Sequence, residues 1–262
     1  MSDRMRTTDA LERCWSSLDA LFAGLDEEQW QAATLCPGWS VRDVCAHLGG
    51  IEHMLTDWFP ESAETPLPFA RIGEFLTETA ALDSTALLAR YRALIERRRG
   101  QLGALSDLEW DMPSMTPVGP GTYGGFMAIR VFDFWVHEHN VRSPLALPGH
   151  DTGPAAEMAL DQVQGSLGYI VGKLIALPDG MSITFSLTGP VVREMHVQVS
   201  GRARVVPQLA DADVVVTADS LTFMQLACGR IDPQEQIAAG RISWTGSTEW
   251  GERAARNLRF TM

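Results

Sequence analysis

Between residues 9 and 25, Leu11, Cys14, Trp15, Leu18, Leu21, Phe22 and Leu25 recur every three or four positions, the spacing of an amphipathic helix. Asp9 and Glu12 are spaced as a capping box at its start. After the Cys36-Pro37-Gly38 turn, Ser40 and Asp43 repeat that box, with Trp39 and Val44 at staple positions. A second helix is therefore predicted over residues 41–58, carrying His47, Leu48, Ile51 and Leu55. Three prolines between 60 and 68 mark a loop, and Leu87, Leu88, Tyr91, Leu94, Ile95 and Leu102 mark a third helix. Its Arg97, Arg98 and Arg99 read as a solvated basic face. Residues 112–121 are rich in Pro and Gly, and residues 123–141 form a fourth helical pattern, apolar on almost every side.

Four helices joined by irregular loops predict a bundle over roughly residues 5–145. The pattern then changes. Residues 143–154 read as a linker and 155–174 as a helix, after which alternation with period two appears at 183–187 and 195–199. Strand candidates at 214–216 and 242–244, with short helices at 219–228 and 248–258, complete a small α+β domain. The domain boundaries expected are 1–145 and 146–262.

Of 262 residues, 45% are hydrophobic and 21% charged, which excludes disorder as the main state. A net charge of −12, from 21 Lys+Arg against 33 Asp+Glu, offers no global attraction to phosphate backbones or anionic lipid, so nucleic acid is not expected as a partner. No apolar run reaches the roughly 18 to 20 residues of a membrane helix, and the first residues lack a signal-peptide core. A cytoplasmic monomer is expected. Cys14, Cys36, Cys45 and Cys228 form no C-x-x-C pair and read as buried, reduced thiols.

The fourth helix holds the candidate chemistry. Arg130, Asp133 and His137 fall within about 60° of arc at 100° per residue. Either that stripe meets water, as one wet edge of a bundle helix, or it lines a site. His47, between small residues and Leu48 on the second helix, favours the site. One His from one helix and an Asp/His pair at i,i+4 from another supply three ligands to a divalent metal and leave a position open. His53 and His139 lie on other faces of their helices and read as surface or local hydrogen-bonding groups, and Glu52 and Glu138 read as solvent-facing charges.

The stretches Leu35-Cys36-Pro37-Gly38-Trp39-Ser40-Val41-Arg42-Asp43-Val44-Cys45-Ala46-His47-Leu48 and Arg130-Val131-Phe132-Asp133-Phe134-Trp135-Val136-His137-Glu138-His139-Asn140-Val141-Arg142 resemble the mycothiol-dependent maleylpyruvate isomerase family. Leu226-Ala227-Cys228-Gly229-Arg230, Trp244-Thr245-Gly246 and Asn257-Leu258-Arg259-Phe260-Thr261 extend the resemblance to the tail. The resemblance implies a DinB-like four-helix bundle followed by a sterol-carrier-like α+β domain. It further implies a divalent metal, zinc by expectation, on His47, Asp133 and His137. Arg130, one turn before Asp133 on the same stripe, is expected as a catalytic residue that orients the carboxylate or holds an anionic substrate group. The implied activity is that of an isomerase or S-transferase, in which mycothiol, held as a thiolate, attacks a small electrophile. A metal-dependent hydrolase, and a lipid- or small-molecule-binding protein without catalysis, remain as alternatives.

Overall fold

Ser40 starts the helix that bears the first candidate ligand. Its hydroxyl accepts the Asp43 amide, and Asp43 accepts the Ser40 amide at 2.8 Å, the reciprocal box predicted for this position. The structure, a computed structural model, describes residues 3–260; Thr261, which closes the last stretch quoted above, lies outside the described residues. The chain divides into two compact units, Met1–Gly149 and His150–Met262.

The first unit runs α1 (Asp3–Ala23), α2 (Glu27–Gln31), α3 (Val41–Leu55), α4 (Ala70–Thr79), α5 (Ser84–Ala104), α6 (Asp107–Trp110), β1 (Pro113–Thr116), β2 (Gly119–Thr122) and α7 (Tyr123–Arg142). The four long helices are α1, α3, α5 and α7. Helices α1 and α3 each pack against both α5 and α7, so that the four close a ring around the core. Leu11, Leu18, Leu48, Leu87, Tyr91 and Phe134 are among the side chains that fill it.

Helix α1 begins six residues earlier than Asp9. That residue sits inside the helix and pairs with Arg13 at 2.9 Å instead of capping the start, while Arg4 holds the first turn by pairing with Asp107. The Pro- and Gly-rich stretch is a hairpin, not an irregular loop. β1 and β2 pair antiparallel, and Thr116 Oγ1 donates to the Gly119 carbonyl across the turn. Thr122 then caps α7 by accepting the Gly125 amide.

The second unit runs α8 (Pro154–Tyr169), continued by a π-helical turn at Ile170–Ile175, then β3 (Ser182–Thr188), β4 (Arg193–Ser200), β5 (Arg202–Val206), β6 (Val214–Asp219), α9 (Ser220–Ala227), α10 (Pro233–Ala238), β7 (Ile242–Gly246) and α11 (Thr248–Asn257). The sheet order is β5-β4-β3-β6-β7, with β3 and β6 parallel and the other pairs antiparallel. Ile183, Phe185 and Leu187 on β3 share a buried face with Met195 and Val197 on β4 and with Val214, Val216 and Ala218 on β6. The alternation seen in the sequence is that face.

One glycine fixes the end of β7. Gly246 has φ +81°, and a Cβ there would stand 2.1 Å from the Asp213 carbonyl oxygen, which accepts the Ser247 amide. Gly246→Ala should therefore destabilise this unit by at least about 2 kcal/mol, from left-handed strain and a backbone clash. Urea unfolding followed at Trp244 and Trp250 checks this, and an unchanged midpoint would refute it.

Candidate metal centre

Helix α7 winds Arg130, Asp133 and His137 onto one stripe, and α3 brings His47 against it. His137 Nε2 lies 3.5 Å from Asp133 Oδ1, and His47 Nε2 lies 3.7 Å from Asp133 Oδ2. Each of the three residues offers a ligand atom, and these atoms all lie within 4.8 Å of one another. A tetrahedral site with bonds of about 2.0–2.1 Å has ligand-to-ligand edges of about 3.4 Å, close to the two distances seen. Two imidazoles and a carboxylate are the donor set of a borderline divalent ion such as zinc. His47 Nε2 is buried and makes no hydrogen bond, so its lone pair or proton is directed at the other two groups. The His47 and Asp133 side chains retain 26% and 23% exposure, which leaves one side of the cluster open.

The turn before α3 supplies two further side chains. Trp39 stacks on the His137 ring at 5.8 Å with an interplanar angle of 8° and lies 4.9 Å from the His47 ring, forming an aromatic wall for both imidazoles. Cys36 Sγ lies 3.5 Å from His137 Nδ1 and accepts from Asn140 Nδ2 at 3.2 Å. In the tautomer whose Nδ1–H is directed at that sulfur, His137 presents its Nε2 lone pair to the cluster. Neither Trp39 nor Cys36 was singled out from the sequence as a site residue. Their position in the Cys36-Pro37-Gly38-Trp39 turn, just ahead of the His47 helix, was the available signal.

Behind Asp133 stands a buried chain of charge. Arg130 donates through Nη1 to Asp133 Oδ2 and through Nε to Glu52 Oε1 at 2.9 Å, with its guanidinium over the Phe134 ring. Arg98 Nε donates to Glu52 Oε2, also at 2.9 Å, and its terminal nitrogens reach the Leu55 carbonyl and the Tyr123 hydroxyl. The side chains of Glu52, Arg98 and Arg130 are each at most 2% exposed. Glu52 is thus no surface charge, and of the three arginines read as a solvated face, Arg98 is buried. Burial opposes ionisation of Asp133, but the Arg130 guanidinium and, after it, His137 outweigh it and hold the carboxyl well below the usual range. Burial likewise works against the Arg130 charge, and Asp133 with Glu52 more than compensates.

Two more residues differ from their expected surface placement. Glu138 is fully buried and accepts from Arg142 at 2.6 Å and from the Ser17 hydroxyl at 2.6 Å, tying α7 to α1. His139 is buried beside Trp135, with ring centroids 4.2 Å apart. His53 is half-buried against Phe75. The four cysteines are free and buried as expected, and burial pushes the Cys14 and Cys45 thiols well up. Among the described residues no helix is long and apolar enough to cross a membrane.

The description "Mycothiol maleylpyruvate isomerase N-terminal domain" matches residues 11–142, and "MDMPI C-terminal domain" matches residues 157–254. Among solved structures, a mutant of the mycothiol-dependent maleylpyruvate isomerase shares 17% identity with a TM-score of 0.62, covering 94% of this chain and 93% of that one. The unmutated isomerase has a TM-score of 0.58 at the same identity and coverage. At this identity the likeness bears on the fold: the helical first unit followed by the α+β unit. Two uncharacterized proteins of Mycobacterium tuberculosis are each 28% identical over 141 residues, 50% of this chain and 52% of theirs. The chain thus spans about half the length of the curated relatives it matches.

Proposed function

The chain belongs to the mycothiol maleylpyruvate isomerase family, and from that premise we propose that it is a metal-dependent, mycothiol-using enzyme, an isomerase or S-transferase acting on a small electrophile. The observation that carries this reading is the convergence of His47, Asp133 and His137, from two helices, on a common point with one open side. These three side chains would hold the ion. When bound, a divalent ion there supplies the Lewis acidity that keeps a thiol ionised near neutral pH, where a free thiol of pKa about 8.5 is only a few per cent thiolate.

The chain's own residues do the rest. Asp133 is already charged, so no proton need leave it before it can act as a ligand. Arg130 is buried and occupied by Glu52 and Asp133, so its role is to orient the carboxylate rather than to touch substrate. Cys36 and Asn140 set the His137 ring from behind, and Trp39 shields the two imidazoles from water.

Attack of the thiolate on a conjugated double bond forms a C–S bond and moves the alkene electron pair toward the electron-withdrawing group. Rotation about the resulting single bond, return of the electron pair and loss of the thiolate give the other geometrical isomer. Uptake of a proton instead leaves the thioether as the product of an S-transferase.

Elemental analysis of the wild type after metal-replete expression should find about one divalent ion per chain. Turnover of an activated alkene should require added mycothiol. Metal-free protein would overturn the metal reading, and turnover without any thiol would replace the thiol reading with a hydrolase.

A further inference from the structure

Each of the four long helices buries one polar or polarisable side chain that is at most 2% exposed: Cys14 from α1, Cys45 from α3, Tyr91 from α5 and Arg130 from α7. The proposed chemistry uses only Arg130. Among the described residues, Arg130 Nη2 and the Tyr91 hydroxyl are buried side-chain atoms without a hydrogen-bond partner. Leaving such groups unpaired is costly, so protein interiors satisfy them with protein or with ordered water.

The two atoms belong to one part of the core. Tyr91 lies on the stripe of α5 that carries Arg98 two turns later, and Arg98 and Arg130 share Glu52. On α3, one turn before Glu52, a Cβ at Gly49 would stand 3.7 Å from Tyr91 Cδ2. Burial above all pushes ionisation of the Tyr91 hydroxyl well up; Cys45 and Glu52 add to this and Arg130 opposes it, so both charges act on the hydroxyl. A hydroxyl that can donate or accept, near a guanidinium N–H that can only donate, provides the two polar partners that an internal water needs.

Arg130 is otherwise fixed. Its Nε and Nη1 are taken by Glu52 and Asp133, and its guanidinium lies over the Phe134 ring. Nη2 is the nitrogen that no protein group holds. A hold on it would fix the guanidinium plane and, with it, the Asp133 carboxylate.

We infer that one water molecule is bound here, accepting from Arg130 Nη2 and hydrogen-bonded to the Tyr91 hydroxyl, and that through it Tyr91 is a positioning residue for Asp133. The positioning role rests on the metal reading; the water site does not. A high-resolution crystal structure of the full chain should show a water about 2.7–3.2 Å from both atoms. Tyr91→Phe, which keeps the ring against Phe22 and Gly49, should lose it. No water, a direct Tyr91–Arg130 contact, or a water retained in Tyr91→Phe would each overturn the site.

In competition against a chromogenic chelator, Tyr91→Phe should bind the metal about tenfold more weakly, the lower end of what losing an outer partner costs. Tyr169→Phe alters an exposed tyrosine of the second unit and should match wild type. Unchanged affinity in Tyr91→Phe beside a metal-loaded wild type, with only a lower melting temperature, would make Tyr91 a packing residue and overturn its positioning role. Equal weakening by Tyr169→Phe would overturn it too. A wild type that takes up no metal would instead overturn the metal reading and the positioning role with it, while the crystal structure still decides the water site.

Discussion

Glu52→Ala will destabilise the helical unit by about 3–5 kcal/mol, the range for breaking a buried ion pair from one side. The physical reason is asymmetry. Among the described residues Glu52 is the only carboxylate that Arg98 pairs with, and it is one of two for Arg130. Its removal leaves two buried guanidiniums with nitrogen donors that water cannot reach. That loss is larger than the net worth of the network, since an apolar replacement of the whole set could leave stability unchanged. Urea unfolding followed by tryptophan fluorescence is a suitable measurement, because six of the eight indoles lie in this unit. Glu52→Gln, which keeps the shape and one acceptor, should lose less. A midpoint for Glu52→Ala within about 1 kcal/mol of wild type would mean that the two arginines find water or another partner.

His137→Ala will abolish stoichiometric metal. Removing an outer hydrogen-bond partner of a ligand lowers metal affinity by about 10–100-fold, and removing one of the three proposed ligands should exceed that. Unlike His47, which is partly exposed, His137 is fixed on three sides, by Trp39, Cys36 and Asp133, so a neighbouring group cannot readily replace it. Competition against a chromogenic chelator measures the affinity directly. An unchanged affinity in His137→Ala, beside a metal-loaded wild type, would show that the ion sits elsewhere.

The long helices were legible because α1, α3, α5 and α7 each bury a stripe or more, so the period survives over many turns. The core strands were legible because β3, β4 and β6 alternate across one buried face. The shorter elements left no such trace. Helices α2 and α6 have five and four residues, less than two turns, and β5 is an edge strand whose alternating Arg202-Ala203-Arg204 start has only a small apolar residue and whose Val205-Val206 end breaks the alternation. Of the site, the stripe on α7 and its pairing with His47 were readable from helical geometry. Glu52, Arg98 and Glu138 were misplaced for a common reason. A charge beside the sequence of a ligand looks solvated until its partner is known, and the Arg98–Glu52 and Arg130–Glu52 contacts span 46 and 78 positions. Trp39 and Cys36 were missed because a turn residue's neighbours are set by the helices that close over it.

Arg130 gives Asp133 a counter-charge whether or not an ion is present, and Glu52 joins α3, α5 and α7 without one. Small zinc-dependent domains collapse when stripped, because the ion is their cement. Here the cement is organic. A sample stripped of the proposed ion by a chelator should keep its shape and refill on dialysis.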